Sequence, residues 1–389
     1  MTTQHRTKAR TLLGVLATGA LLTTSAYGGG RDQGARHVDA ARCGHGGRPA
    51  VIAGKRVCLR VGARCRKRYE RQYQGYGFHC QRGRLTRRAL PKAGTITTMI
   101  PVAGSPSGLI DAAGSLWVAR HRAGAVARID PATNRIVADV PISSGLPTRF
   151  AFGAEGLWLE NYSDSTVAQI DPATNRVVAQ VAGAGENCCA VAVGADSIWA
   201  QQGDPPNVLT RIDARTKKVS ANIPVRNFFG VLFAYDSAWG TSGANVVRIG
   251  PQTNAVVARV PVPGLSSAPL DTDTDLPWMA AGANSIWVSA GRSVARIDPT
   301  TNRLVAVIPI VGVQSRTWSF LTASDSAVWV VGPRSDGSAH LWRIDPATNT
   351  VVGELLLSKT SSVEGLTVGE GAVWVSLFDT NKVLRITPS

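Results

Sequence analysis

Seven tryptophans cut most of the chain into near-equal units. Trp117, Trp158, Trp199, Trp239, Trp287, Trp329 and Trp374 each follow a small residue and an apolar one, at steps of 41, 41, 40, 48, 42 and 45 residues. A period of this size marks a repeat whose units cannot bury their apolar faces alone and must stack on neighbours. After most of these tryptophans the chain runs through an apolar stretch to Ile-Asp-Pro, then Thr-Asn, then Val-rich alternation. The clearest copies are Arg128–Arg135, Gln169–Arg176, Arg296–Arg303 and Arg343–Thr350; Arg211–Lys218 is degraded and Arg248–Ala255 carries Gly250 in place of Asp.

Each unit has room for four short strands. In the first unit these are expected at Gly108–Ala112, Ser115–Arg120, Ala125–Asp130 and Arg135–Ile142. Alternating Val, Ile and Ala suits half-buried pleated strands. The Asp-Pro-x-Thr-Asn segment suits a tight hairpin: Asp bonds the backbone beyond it, Pro presets φ, and Asn tolerates a left-handed conformation. Four strands per unit at this period describe a β-propeller blade. The last unit stops one strand short at Val383–Ser389, whereas Thr95–Val102 before the first unit matches an outer strand. Pairing the two completes seven blades, closes the ring and removes the open edges of the sheets. The predicted fold is therefore an all-β, seven-bladed propeller over residues 93–389.

These same residues carry a resemblance. Gly-x-x-Trp-Val followed by Ile-Asp-Pro-x-Thr-Asn-x-Val-Val-Ala resembles the YVTN-type propeller repeat of exported bacterial proteins, and is similar to the streptogramin B lyase group and the wider NHL-like class. The lyase resemblance implies a His ten residues before a Trp, a Glu three residues after one, and a bound magnesium. The first position is Ser107, Thr148, Cys189, Phe229, Pro277, Ser319 and Glu364; the second is Arg120, Asn161, Gln202, Ser242, Ala290, Gly332 and Leu377. Neither series contains the required residue, so the lyase pair is not expected here. One propeller hosts unrelated functions, and the resemblance speaks to fold more than to activity.

Candidate binding residues lie in the loops expected on one face, those leading into the inner strands and those following the Trp strands. Arg120, His121 and Arg122 form a basic cluster; Glu160, Asn161, Tyr162 and Asp164 form a polar one. Glu186, Asn187, Asn227, Arg316 and Glu364 are expected around the channel mouth, with Trp278 and Trp318 as apolar walls. Converging polar groups beside aromatics are what a small-ligand site requires. Asp271, Asp273 and Asp275 alternate as hard oxygen ligands at calcium-loop spacing, but lack the Gly and Glu of a complete EF-hand loop. Calcium or magnesium is the only cofactor suggested, and a solvated acidic loop is the simpler reading. Cys188-Cys189 are adjacent at the start of an inner strand and fit either a vicinal disulfide or a buried thiol pair.

The segment before the propeller is different in kind. The chain has 42 Lys+Arg against 26 Asp+Glu, yet residues 31–92 alone hold 17 bases and 3 acids, while residues 93–389 hold 22 and 23. Residues 1–26 read as an export signal: Arg6, Lys8 and Arg10, then the apolar run Leu12–Leu22, then small residues at Thr24-Ser25-Ala26. Residues 27–92 form a basic, Cys-rich module or linker. In an exported chain Cys43, Cys58, Cys65 and Cys80 are expected to form two disulfides, with three connectivities open. Their spacings lack the CxxC pairs of zinc modules. Arginines interleaved with Tyr69, Tyr73, Tyr76 and Phe78 fit either a grip on a polyanion or a solvated, disulfide-stapled module whose charge only aids solubility. Export makes a wall polymer or lipid surface a better partner than nucleic acid.

A hydrophobic content of 44% with 17% charged residues excludes a mainly disordered chain. No apolar run reaches transmembrane length. Composition and pattern together predict a secreted or surface-held monomer. Its propeller face binds a small ligand or a protein, and its basic module tethers it to an anionic surface. The alternative is a metal-assisted lyase or lactone-cleaving enzyme using Glu160, Glu186 or Glu364.

Overall fold

A computed structural model describes residues 43, 48–87, 89–142, 146–153, 156–182, 190–202, 208–266, 276–314 and 319–389. Seven four-stranded antiparallel sheets make up the propeller, six of them from consecutive strands. Blade 1 comprises Pro106–Ala112, Ser115–Arg120, Ala125–Asp130 and Arg135–Pro141, close to the strands expected from sequence. The innermost strands of blades 2 to 7 are Pro147–Gly153, Val191–Gly194, Phe228–Ala234, Met279–Gly282, Phe320–Ala323 and Val363–Gly369. Blade 7 is completed by Gly94–Pro101, which pairs antiparallel with Lys382–Pro388 in a register running from Lys382↔Pro101 to Pro388↔Gly94. The ring therefore closes with its first strand inside its last sheet, as expected.

The repeat residues hold blade to blade. Trp117, Trp158, Trp199, Trp239, Trp287 and Trp374 are all 0% exposed, and burying an indole of this size contributes roughly 4–6 kcal/mol before entropy. The Trp117 Nε1–H donates to Ala112 O at 3.0 Å, so the ring is buried without losing a hydrogen bond. Arg128 lies over Trp117 and donates to Pro172 O and Asn175 Oδ1 of the next blade at 2.7 and 2.9 Å. Arg385 makes the same grip on Pro131 O and Asn134 Oδ1, from the last blade to the first. Blade 2 carries Gln169 at this position, and there Lys217 from blade 3 places its ammonium over Trp158 instead.

The Asp-Pro-x-Thr-Asn turns form as their chemistry requires. Asp130 accepts from the Ala132 N–H and the Thr133 hydroxyl, and Asn134 sits in the left-handed region at φ 57°. Lys217 takes that conformation in the degraded copy.

Residues Cys43–Ser389 form one compact unit. Its amino-terminal part holds two hairpins, Arg48–Ile52 with Lys55–Leu59 and Phe78–Gln81 with Arg84–Arg87, and a short helix at Glu70–Gly75. Disulfides join Cys43 to Cys58 and Cys65 to Cys80. Tyr73, Phe78, Leu59, Ile52 and Leu85 make a small core. Tyr73 and Phe78 are thus internal packing rather than rings displayed for stacking. Leu90 packs against the core shared by blades 5 and 6, and the backbone of Lys92 forms a β-bridge with Glu354 on the outer strand of blade 6. Among the described residues no helix is long and apolar enough to cross a membrane.

Candidate functional site at the channel mouth

The residue nine places before each repeat Trp lies at the axis. In blade order these are Gly108, Arg149, Ala190, Gly230, Trp278, Phe320 and Gly365, and all seven line one open-mouthed cavity of 330 Å³ between the inner strands. Four are small where strands converge. A Cβ on Gly108 would lie 1.9 Å from Thr148 O, and one on Gly365 would lie 2.3 Å from Ser107 O. The other three are large, and they meet. The Arg149 guanidinium of blade 2 lies 4.3 Å from the centroid of the Trp278 ring and 4.7 Å from that of Phe320. Phe229 meets Trp278 edge-on at 5.8 Å. Trp278 is held by its backbone, whose N–H donates to Ser289 Oγ and whose carbonyl accepts from the Ser289 N–H, both at 2.9 Å.

Two carboxyl groups lie within electrostatic reach of the guanidinium. Glu160 is 0% exposed, on the strand Gly156–Asn161, and accepts from the Thr148 hydroxyl at 3.2 Å. Glu364 offers its backbone carbonyl to Arg149 Nη1 at 2.5 Å. Burial pushes both carboxyl groups up to about 7, against the opposing pull of Arg149. Asp379, bonded to Ser362, adds a like charge that raises Glu364 further. His121 completes the rim, with Nδ1 3.4 Å from Pro147 O and its ring 5.9 Å from Phe378. Burial lowers its pKa, and the charges of Arg122 and Arg149 add to that.

Two buried donors here have no hydrogen-bond partner: Arg149 Nε and Trp278 Nε1. Leaving such a group unmet costs about 1–3 kcal/mol, so two together read as a site rather than as packing. Both belong to one stacked pair. The cluster offers donors for an acceptor-bearing ligand, a cation–π platform, and two carboxyl groups that exchange protons near neutral pH. It does not suit the magnesium that the lyase resemblance implies. The positive charge of Arg149 acts on both carboxyl groups, and the described residues contain no group of three or more His, Cys, Asp or Glu able to hold a metal.

Of the residues singled out from sequence, Glu160, Glu364, His121 and Trp278 are brought together. Arg120 is drawn away, its Nε on Ala103 O at 2.7 Å and its Nη1 on Asp139. Glu186, Asn187, Cys188, Cys189, Arg316, Trp318 and the Asp271, Asp273, Asp275 run lie outside the described residues. Sequence reasoning missed Arg149 and Phe320. Aligning the seven units would have found both, since they stand where four others carry Gly or Ala.

Fold and site together define a seven-bladed propeller with a polar, aromatic-lined channel mouth. No protein-family model and no curated protein matches the chain. Among solved structures it is similar to virginiamycin B lyase from Staphylococcus aureus, with a TM-score of 0.62 and 15% identity over 75% of this chain and 99% of that one. A catalytically inactive variant of that enzyme with quinupristin gives 0.61 and 14% over the same shares. The WD40 repeats of RRP9 give 0.61 and 11%, over 77% and 99%. At these identities the likeness establishes the fold.

Proposed function

We propose that this chain is an exported binding protein whose propeller takes a small ligand at the channel mouth and whose basic module holds it to an anionic surface. The observation that carries the binding reading is the pair of unpartnered buried donors on Arg149 and Trp278 beside a cavity bounded by the inner strands. The test is a charge-diverse fragment screen by thermal shift on wild type and Arg149→Gln. Fragments that bind only the folded protein raise its melting temperature, and those seated at the mouth lose that effect in the variant. A screen in which no fragment distinguishes the two proteins sinks the reading.

The tether rests on charge. Residues 43–92 carry fourteen Lys or Arg and a single acid, Glu70. Glu70 is turned inward: burial pushes its pKa up, but hydrogen bonds from His79, the Cys80 N–H and Gln74 outweigh that and hold it at about 2. Arg56, Arg64, Arg66, Arg68, Arg71 and Arg82 are exposed, leaving an outer surface of one sign. The partner is an anionic wall polymer or lipid surface, since the disulfides fit an oxidising compartment. Attachment to isolated cell envelopes must weaken steeply with salt through counterion release. A fourfold Arg64, Arg66, Arg68 and Arg71→Gln variant with undiminished attachment would exclude the tether.

A second reading is favoured by Glu160 and Glu364, both near 7. A protonated and an ionised carboxyl within electrostatic reach of one guanidinium suit acid–base cleavage of a lactone or a related lyase step. Turnover of a lactone panel that disappears in Glu364→Gln would favour the enzyme; a panel left untouched by wild type rules it out.

A further inference from the structure

Behind Arg149 the channel is lined by apolar residues and glycines, whose backbone groups share the wall with their side chains. Leu109, Phe150, Val191, Leu232, Met279 and Leu366 contribute to its wall, and Arg149 is the only charged residue among the described residues that line it. Burying apolar ligand surface against such a wall is favourable in proportion to area. At the end marked by Arg149, two buried donors, Arg149 Nε and Trp278 Nε1, have no acceptor.

We propose that the cavity takes an apolar-bodied monocarboxylate, its hydrocarbon part in the channel and its carboxylate on Arg149 and the Trp278 indole N–H. This rests on reading the mouth as a ligand site and specifies what that site selects. A cationic ligand would meet the guanidinium. A plain hydrocarbon would leave both donors unmet. A phosphate dianion would bring a double charge beside Glu160 and Glu364, whereas one carboxylate supplies two acceptor oxygens at lower charge. An Arg fork accommodates a carboxylate through parallel N–H donors. The volume of 330 Å³ lies at the low end of ligand pockets, about 300–1,000 Å³, so the ligand's body is short or of medium length.

The experiment compares octanoate, octanol and octylamine by isothermal titration against the full mature chain. Octanoate is expected to bind and octylamine not to. Arg149→Gln should weaken octanoate at least tenfold and leave octanol nearly unchanged. Trp278→Phe keeps the ring and removes the N–H donor, and should weaken octanoate by a smaller factor; this holds the test open if Arg149→Gln does not fold. Equal binding of octanoate and octanol, indifference of octanoate to both substitutions, or no octanoate binding would each overturn the proposal. If fragments of another charge class map to the mouth while octanoate fails, only the ligand assignment falls. If nothing maps there, the binding reading falls with it.

Discussion

The Arg149 guanidinium, rooted in blade 2, lies 4.3 Å from the centroid of the Trp278 ring at the start of blade 5, so one side chain reaches across the channel and ties opposite sides of the ring together. Its charge is set against two buried carboxyl groups, and that arrangement makes the mouth both a structural knot and a site sensitive to pH.

Replacing Arg149 with Ala removes the positive charge that opposes burial of Glu160. Losing that longer-range compensation costs on the order of 1–2 kcal/mol where the carboxyl group is ionised. The loss should be largest near pH 8, where the carboxyl groups ionise, and smaller near pH 5.5, where they keep their protons. Urea unfolding at the two pH values checks this, and equal losses at both would show that Arg149 does not compensate charge.

Glu160→Gln isolates one titration. The folded-state pKa is raised from 4.5 to about 7 by burial, so between those values the folded protein holds more protons than the unfolded chain. Stability must therefore fall as pH rises through that window, and stay lowered above it. Relative to the Gln variant, wild type should lose up to about 3 kcal/mol between pH 5 and 8. Unfolding free energies of both proteins across the range give the answer; a constant difference would contradict it.

Within the blades, the tryptophan should outweigh the arginine stacked on it. Trp287 is 0% exposed, and Trp287→Ala should cost roughly 3–5 kcal/mol. Arg296 stacks on that ring at 5.0 Å and donates to Pro346 O and Asn349 Oδ1. Arg296→Ala should cost about 1–2 kcal/mol. Chemical unfolding of the two variants ranks them, and the reverse order would refute this account of the repeat.

The small module depends on its cross-links more than the propeller does. Each disulfide spans a sequence separation of 15, a loop worth about 3 kcal/mol in chain entropy, in a segment with a small core. Reduction should open the segment to trypsin at its arginines while the β-sheet circular dichroism of the propeller persists. Resistance of residues 48–87 to trypsin after reduction would show that the core suffices alone.

Much of the fold was legible in the amino-acid order because its information is local and repeated. The tryptophan spacing set the blade count, the unpaired strand at each end implied closure, and Asn134 and its counterparts took the left-handed turn that Asp-Pro-x-Thr-Asn calls for. Glu160, Glu364, His121 and Trp278 were readable as mouth residues because the repeat assigns each a position in its unit. What the order alone did not decide is where departures from the repeat meet. The open choice among disulfide pairings, the inward turn of Tyr73 and Phe78, and the substitution of Lys217 for the missing arginine over Trp158 depend on chain segments brought together in space. Arg149 is the clearest case. In its own strand it is one cation among small and apolar neighbours; only closure of the ring places Trp278, Phe320 and Glu364 around it, and burial in that company sets the proton affinity of the site.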